Sequence, residues 1–279
     1  KKNSMKRISI TVFACFLFGS VAFAQVTIAP TNLFLDANSR FGSYMVVNGG
    51  NQTQEVSIDF FFAYSSTDND GNRSAVVDDS LVQQQYSIAD YIRAFPQNFT
   101  LSPGQRQMVR LRVTPPNDLN DGTYWARIKT KSSPEAPPLE LQTSEVVSAT
   151  VGITVEQVTG LFYKKGDVST GIEIEGIRSS LNDDGSLAVM VDYNRTGNSP
   201  FLGSVTLSLF NPAGEEVRRS FISTSMYFDG VYRQDFDLTD LAPGTYRVSA
   251  LFESQRPDLS SNDLIQMDPV TASETISIR

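Results

Sequence analysis

The stretch Phe99-Thr100-Leu101-Ser102-Pro103-Gly104-Gln105-Arg106-Gln107-Met108-Val109-Arg110-Leu111-Arg112-Val113, FTLSPGQRQMVRLRV, contains in fifteen residues the pattern that repeats along the chain. Its two ends alternate apolar with polar residues, the period-two signature of a half-buried strand. Ser-Pro-Gly between them is tight-turn chemistry. The same alternation occupies residues 26–28, 32–35, 43–47, 56–64, 124–130 and 146–163, and begins again after Gly166 at 172–177, 187–193, 205–210, 217–222, 232–238, 246–252 and 271–278. Turn signals separate these runs: Asn48-Gly49-Gly50, Asn69-Asp70-Gly71, Asn120-Asp121-Gly122, Asp183-Asp184-Gly185, Asn211-Pro212-Ala213-Gly214 and Ala242-Pro243-Gly244. Residues 74–95 are less regular, and Tyr86 to Ile92 read equally as a helical turn or an edge strand. Many short strands with turns between them predict an all-β chain of two immunoglobulin-like β-sandwich domains.

Outside the strands, Lys1, Lys2, Lys6 and Arg7 precede an apolar run from Ile8 to Phe18, followed by Ala22-Phe23-Ala24. That is the charge, apolar and small-x-small order of a cleaved export signal. The apolar run is too short and too interrupted for a membrane span. The expected division is 1–24 as signal peptide, 25–163 as the first sandwich and 164–279 as the second, in an exported, periplasmic protein without a membrane anchor. Cys15, the sole cysteine, falls within the signal, so the two cores must be held by packing rather than by disulfides.

Four basic and no acidic residues lie in the first 24, which leaves 19 Lys and Arg against 31 Asp and Glu, a balance of −12. Such an excess disfavours nucleic acid and anionic lipid as partners. No histidine is present, which removes the usual base of Ser and Cys hydrolases and the commonest transition-metal ligand. Acidic pairs such as Asp78-Asp79 and Asp183-Asp184 read as solvated turns, so an enzyme working with carboxylates alone is the weakest reading. Asp68-Asn69-Asp70-Gly71-Asn72 has the alternating oxygens of a Ca²⁺ loop but lacks the downstream bidentate Glu, and it reads as a hairpin turn. No catalytic group, metal or cofactor is expected.

The run ending near Tyr163 is the functional candidate. Val147, Ala149, Val151, Ile153 and Val155 are apolar at every second position, and residues 144–163 together exceed the usual strand length. A proline-rich loop, residues 132–139, precedes them. The strand is either an edge offered to a partner that lacks a strand or the last strand of its own sandwich; the residues alone leave both open.

The first half resembles the periplasmic chaperones of the chaperone-usher pathway of pilus assembly. Five pieces match in order: Ile28-Ala29-Pro30-Thr31; Gly42 to Asn48; Pro96 through Phe99-Thr100-Leu101-Ser102-Pro103-Gly104-Gln105 to Val109-Arg110; Tyr124-Trp125; and Leu161-Phe162-Tyr163. The resemblance implies a non-enzymatic chaperone whose last strand in the first domain donates Val147, Ala149, Val151, Ile153 and Val155 to pilin-like subunits lacking a strand, with an outer-membrane usher as a further partner. It also implies a cationic pair in the cleft, at the positions that here are Asn32 and Gly160. Neither is cationic. Leu161, Phe162 and Tyr163 are then expected to pack at the interdomain hinge, with Lys164 and Lys165 as exposed charges beyond it, one of them a candidate substitute for the missing anchor. The competing expectation is an extracytoplasmic adhesion or scaffolding module.

Overall fold

The computed structural model describes residues 26–135 and 153–278. The first sandwich is built from β1 (Val26–Ala29), β2 (Asn32–Asp36), β3 (Phe41–Asn48), β4 (Gln54–Phe61), β5 (Tyr64–Thr67), β6 (Arg73–Val76), helix α1 (Ser80–Tyr86), a 3₁₀ turn (Ala89–Tyr91), β7 (Ile92–Phe95), β8 (Asn98–Leu101), β9 (Arg106–Val113), β10 (Gly122–Pro134) and β11 (Val155–Lys165). One sheet has the order β1-β3-β9-β7 and the other β2-β11-β10-β4-β8. The Ser-Pro-Gly turn between β8 and β9 therefore carries the chain from one sheet to the other. Gly104 takes φ +75° there, a left-handed conformation that its lack of a side chain makes inexpensive.

Period two then decides the core. Val109, Leu111 and Val113 of β9 are fully buried against Val46, Ile58, Ile128 and Leu161, while Arg110 and Arg112 point to solvent. The chain switches sheets between β1 and β2, across a cis peptide at Ala29-Pro30.

The second sandwich contains β12 (Thr170–Leu181), β13 (Leu187–Gly197), β14 (Phe201–Phe210), β15 (Glu216–Met226), β16 (Gly230–Phe236), β17 (Gly244–Glu253) and β18 (Val270–Ile278). Its sheets are β12-β13-β16 and β15-β14-β17-β18. Val189, Val191, Val205, Leu207, Leu209, Val248 and Phe252 fill its core. Each sandwich has a tyrosine whose hydroxyl donates to the carbonyl four residues upstream: Tyr124 to Asn120 at 3.1 Å and Tyr246 to Ala242 at 2.8 Å. This corner is a hallmark of immunoglobulin-like sandwiches.

Three local readings change. β10 does not stop at Thr130: Ser132 pairs Val155 on one side and Val56 on the other, so the strand runs to Pro134 and includes the first three residues of the stretch expected to be a loop. Tyr86 to Ile92 resolves into the end of α1, the 3₁₀ turn and the start of β7. Residues 64–76, seen in the sequence only as a turn signal, form the β5–β6 hairpin. Its Asp68 carboxylate accepts from the Asp70 and Asn72 amides and from Asn72 Nδ2, each at 2.9 Å, which closes the turn and uses the oxygens a cation would need.

A third apolar cluster joins the domains. Phe62, Tyr64, Trp125 and Phe162 of the first domain pack on Leu202, Tyr227 and Leu264 of the second. The β5–β6 hairpin reaches across beside it: Ser65 Oγ donates to the Ser225 carbonyl at 3.1 Å, the Val231 amide donates to Thr67 Oγ1 at 3.0 Å, and Arg73 Nη2 donates to Thr224 Oγ1 at 2.5 Å.

Candidate functional site

Of the proposed donor residues, Val147, Ala149 and Val151 lie outside the described residues. Ile153 is described and is 63% exposed, and Val155 opens β11 opposite Ser132. β11 pairs β10 along its whole length, but β2 covers only its second half, from Gly160 to Lys164. Among the described residues no strand pairs the outer side of Val155 to Thr159. Backbone groups alternate direction along a strand. The Gly160 amide donates outward to the Thr31 carbonyl at 3.0 Å, so by parity the Glu156 and Val158 backbone groups also point outward, to the open side. Two backbone donors and two acceptors are thus left at an edge. Val158, 54% exposed, adds an apolar side chain there. One side-chain contact reaches this edge: Gln157 Nε2 donates to the Val26 carbonyl at 2.6 Å.

Side-chain parity gives the face beside that edge. Trp125, Arg127, Lys129 and Lys131 of β10 alternate with the core-facing Ala126, Ile128 and Thr130, and stand opposite Phe162, Gly160, Val158 and Glu156 of β11. The row nearest the second domain is aromatic and covered: Phe34 stacks on Phe162 at 5.2 Å, and Trp125 meets Phe62 at 5.4 Å, Tyr86 at 5.0 Å and Tyr227 at 4.9 Å. Asn32, Gly160 and Arg127 form the next row.

The two positions without the expected cations are therefore neighbours, and the space between them is taken. A Cβ at Gly160 would stand 2.5 Å from Asn32 Oδ1 and 3.4 Å from Arg127 Nη1. Arg127 supplies the cation of this row from the adjacent strand. Its Nε donates to the Ala63 carbonyl at 3.1 Å, its Nη2 donates to the Tyr227 hydroxyl at 2.7 Å, and its guanidinium lies 5.3 Å from the Tyr227 ring centroid. Burial pushes the Tyr227 phenol above its ordinary pKa, and Arg127 partly opposes that shift. The sequence reading missed Arg127. Its signal was the odd-numbered parity of Trp125, Arg127, Lys129 and Lys131.

Leu161, Phe162 and Tyr163 are fully buried, but in two places: Leu161 and Tyr163 belong to the first domain's core, and Phe162 alone faces the second domain. Lys164 and Lys165 are not the free charges expected. Lys164 Nζ donates to the Asp263 carbonyl at 2.5 Å and lies 5.5 Å from the Phe34 ring, and its half-burial lowers its pKa against the pull of Asp263 and Asp36. Lys165 Nζ donates to the Leu119 carbonyl. Both are engaged because β11 continues to Lys165 between the two domains instead of ending at Tyr163. Among the described residues no three acidic, Cys or His side chains are grouped as metal ligands, and no helix is long and apolar enough to cross a membrane.

No protein-family model matches the sequence, and no curated protein matches it. Similar folds occur among solved structures. The YadV chaperone aligns over 91% of this chain and 100% of its own at 12% identity and a TM-score of 0.47. The Escherichia coli chaperone DraB aligns over 91% and 97% at 13% identity and 0.40. The SafB chaperone of Salmonella enterica, solved with the SafA pilin, aligns over 91% and 98% at 12% identity and 0.41. Several of the structures it resembles are of chaperones, among them CsuC of the archaic chaperone-usher Csu pili of Acinetobacter baumannii. At Gly160, where the sequence reading looked for a cation, the Asn32 carboxamide oxygen and the edge of the Phe162 ring occupy the place of a longer side chain.

Proposed function

We propose that the protein is a non-enzymatic, periplasmic chaperone-like factor that holds pilin-like subunits lacking a strand, by adding their backbone to the outer edge of β11. The observation that carries this reading is the half-covered strand, closed by β2 from Gly160 to Lys164 and open at Glu156 and Val158. Strand addition draws affinity from main-chain hydrogen bonds and specificity from alternate side chains. Val147, Ala149, Val151, Ile153 and Val155 would supply those side chains, continuing the parity on which Leu161 and Tyr163 enter the core. Arg127 and Lys129 stand opposite Gly160 and Val158 on the neighbouring strand, so the cationic contribution to a bound subunit comes from β10. An outer-membrane usher would receive the loaded protein.

Amide hydrogen exchange on the protein without its signal tests this at single residues. Glu156 and Val158 should exchange fast, and Gln157 and Thr159, bonded to β10, should be protected. Core-like protection of Glu156 and Val158 would mean that the edge is filled from within the chain, and the adhesion or scaffolding module would take the proposal's place.

A further inference from the structure

The outer face of the sheet β1-β3-β9-β7 lies on the other side of the first sandwich from the β11 edge. Facing out from it are Arg106, Met108, Arg110 and Arg112 of β9, Phe41 and Met45 of β3, and Arg93 and Phe95 of β7. None of the four strands contains an Asp or a Glu. In a chain with 31 acidic residues this leaves a basic face on an acidic molecule. The three ion pairs among the described residues all lie between residues 178 and 258, so none neutralises it. The side chains of Arg106, Arg110 and Arg112 make no hydrogen bond within the described residues, and Arg112 rests over the Phe41 ring at 5.8 Å. Only Arg93 is turned back on its own chain, donating to the Asp90 and Ile92 carbonyls.

The apolar side chains between the arginines are unusually open: Phe41 is 65% exposed, Phe95 59% and Met108 46%. Met45 pairs with Met108 across β3 and β9, and Phe95 pairs with Arg110 across β7 and β9. Cations and apolar groups therefore interleave over an area of about 20 Å along β9 and about 10 Å across β3, β9 and β7. A single phosphate needs donors that converge on one point. These guanidinium groups instead stand in a row, each beside an apolar neighbour, and each is a planar fork matched to a carboxylate.

We propose that this face is a second docking surface, for an acidic segment of a partner polypeptide whose carboxylates meet Arg106, Arg110 and Arg112 and whose apolar residues lie on Phe41, Met45, Phe95 and Met108. It is separate from the β11 edge, so a subunit held there leaves it accessible. Charge complementarity chooses the occupant: the face is basic and so favours an acidic segment, and two copies meeting through this same face would set like charges against each other.

The test uses the protein without its signal, labelled on backbone nitrogen, and a synthetic twelve-residue peptide in which Glu alternates with Leu. Amide shifts should move in β3, β7 and β9, and binding should weaken as salt rises from about 0.05 to about 0.5 M. The Arg110→Glu/Arg112→Glu variant, whose changes are exposed, should bind roughly tenfold more weakly or worse, as expected for loss of charge-assisted hydrogen bonds. Absent binding, shifts confined to Glu156 and Val158, or equal affinity in the variant would each overturn the proposal. So would binding of phosphatidylglycerol vesicles without binding of the peptide, or self-association of the wild type that the variant abolishes, since these assign the face to a membrane or to a second copy. Loss of peptide shifts on β9 with an open β11 edge would leave the strand-addition reading intact, so the two readings fail separately.

Discussion

At Gly160 a single hydrogen atom decides how the cleft is built. Asn32 Oδ1 and the edge of the Phe162 ring close over it, so a side chain there must displace the Asn32 carboxamide and press on the ring. Gly160→Lys places a cation where the resembled family has one, yet here it should destabilise by about 1–3 kcal/mol, the usual cost of overpacking. A lowered urea midpoint with unchanged slope would show this, and an unchanged midpoint would mean that Asn32 moves aside freely. The Tyr227 hydroxyl is the next test of the same row. Tyr227→Phe removes the acceptor of Arg127 Nη2 in a buried place, and should cost about 1–3 kcal/mol from the unsatisfied donor. Arg127→Met in the same background should recover part of that loss, because it removes the donor as well. Little of this row was legible in the sequence. Asn32 and Gly160 stood out by comparison with a family pattern, but that they touch, and that Arg127 stands beside them, depends on the registers of β2 and β10 with β11. Register is set by tertiary pairing, not by local preference.

Strands were the legible level. Among the described residues the strands expected from period two are present, the run 146–163 from Val155 onward and the run 56–64 divided between β4 and β5, because one face of each is buried and the alternation records that burial. The failures fall where burial is not one-sided. β10 keeps pairing through Ser132 and Ser133 although neither is apolar, since neighbours on both sides satisfy its backbone. β5 and β6 are short, and their partner is the second domain, which no local window contains. The open side of β11 gives a prediction that belongs to the strand. Proline lacks the amide donor and is tolerated in sheets where that amide faces out of the ladder. Val158→Pro should therefore leave the fold largely intact, with a loss below about 1.5 kcal/mol, while removing one hydrogen bond that an added strand needs. Gln157→Pro, one residue away, removes a bond to β10 and should cost about 3 kcal/mol or more. Thermal melts of the two variants compare them directly. Equal destabilisation would contradict the alternation of open and bonded amides on which the candidate site rests.

Across the whole molecule, the two sandwiches are joined by aromatic packing, by the β5–β6 hairpin and by Arg127, and phenols recur throughout. Tyr44 is buried in the first core with its hydroxyl 3.3 Å from Thr130 Oγ1, and desolvation pushes its pKa up to about 12. Tyr64, at the domain boundary, is also raised to about 12, by burial and then by its hydrogen bond to Asp79. Burial likewise raises Tyr124, Tyr163, Tyr193, Tyr227 and Tyr232. The unfolded chain ionises its phenols near 10, the folded chain later. A raised folded-state pKa means that the stabilisation is complete below pH 10 and is lost as pH climbs through the folded value. Lys164 acts in the opposite sense, because a lowered lysine pKa relieves its burial cost as pH rises, but it is one group against seven. Stability should thus hold to about pH 10 and then fall steeply towards pH 12, with up to about 3 kcal/mol from Tyr44 alone for a two-unit shift. Denaturant midpoints at pH 9, 10.5 and 11.5 would trace the fall, and Tyr44→Phe should make it shallower by removing one of the titrating groups. A midpoint independent of pH over that range would mean that the phenols remain accessible to solvent, and that neither core nor boundary is as dry as its packing implies.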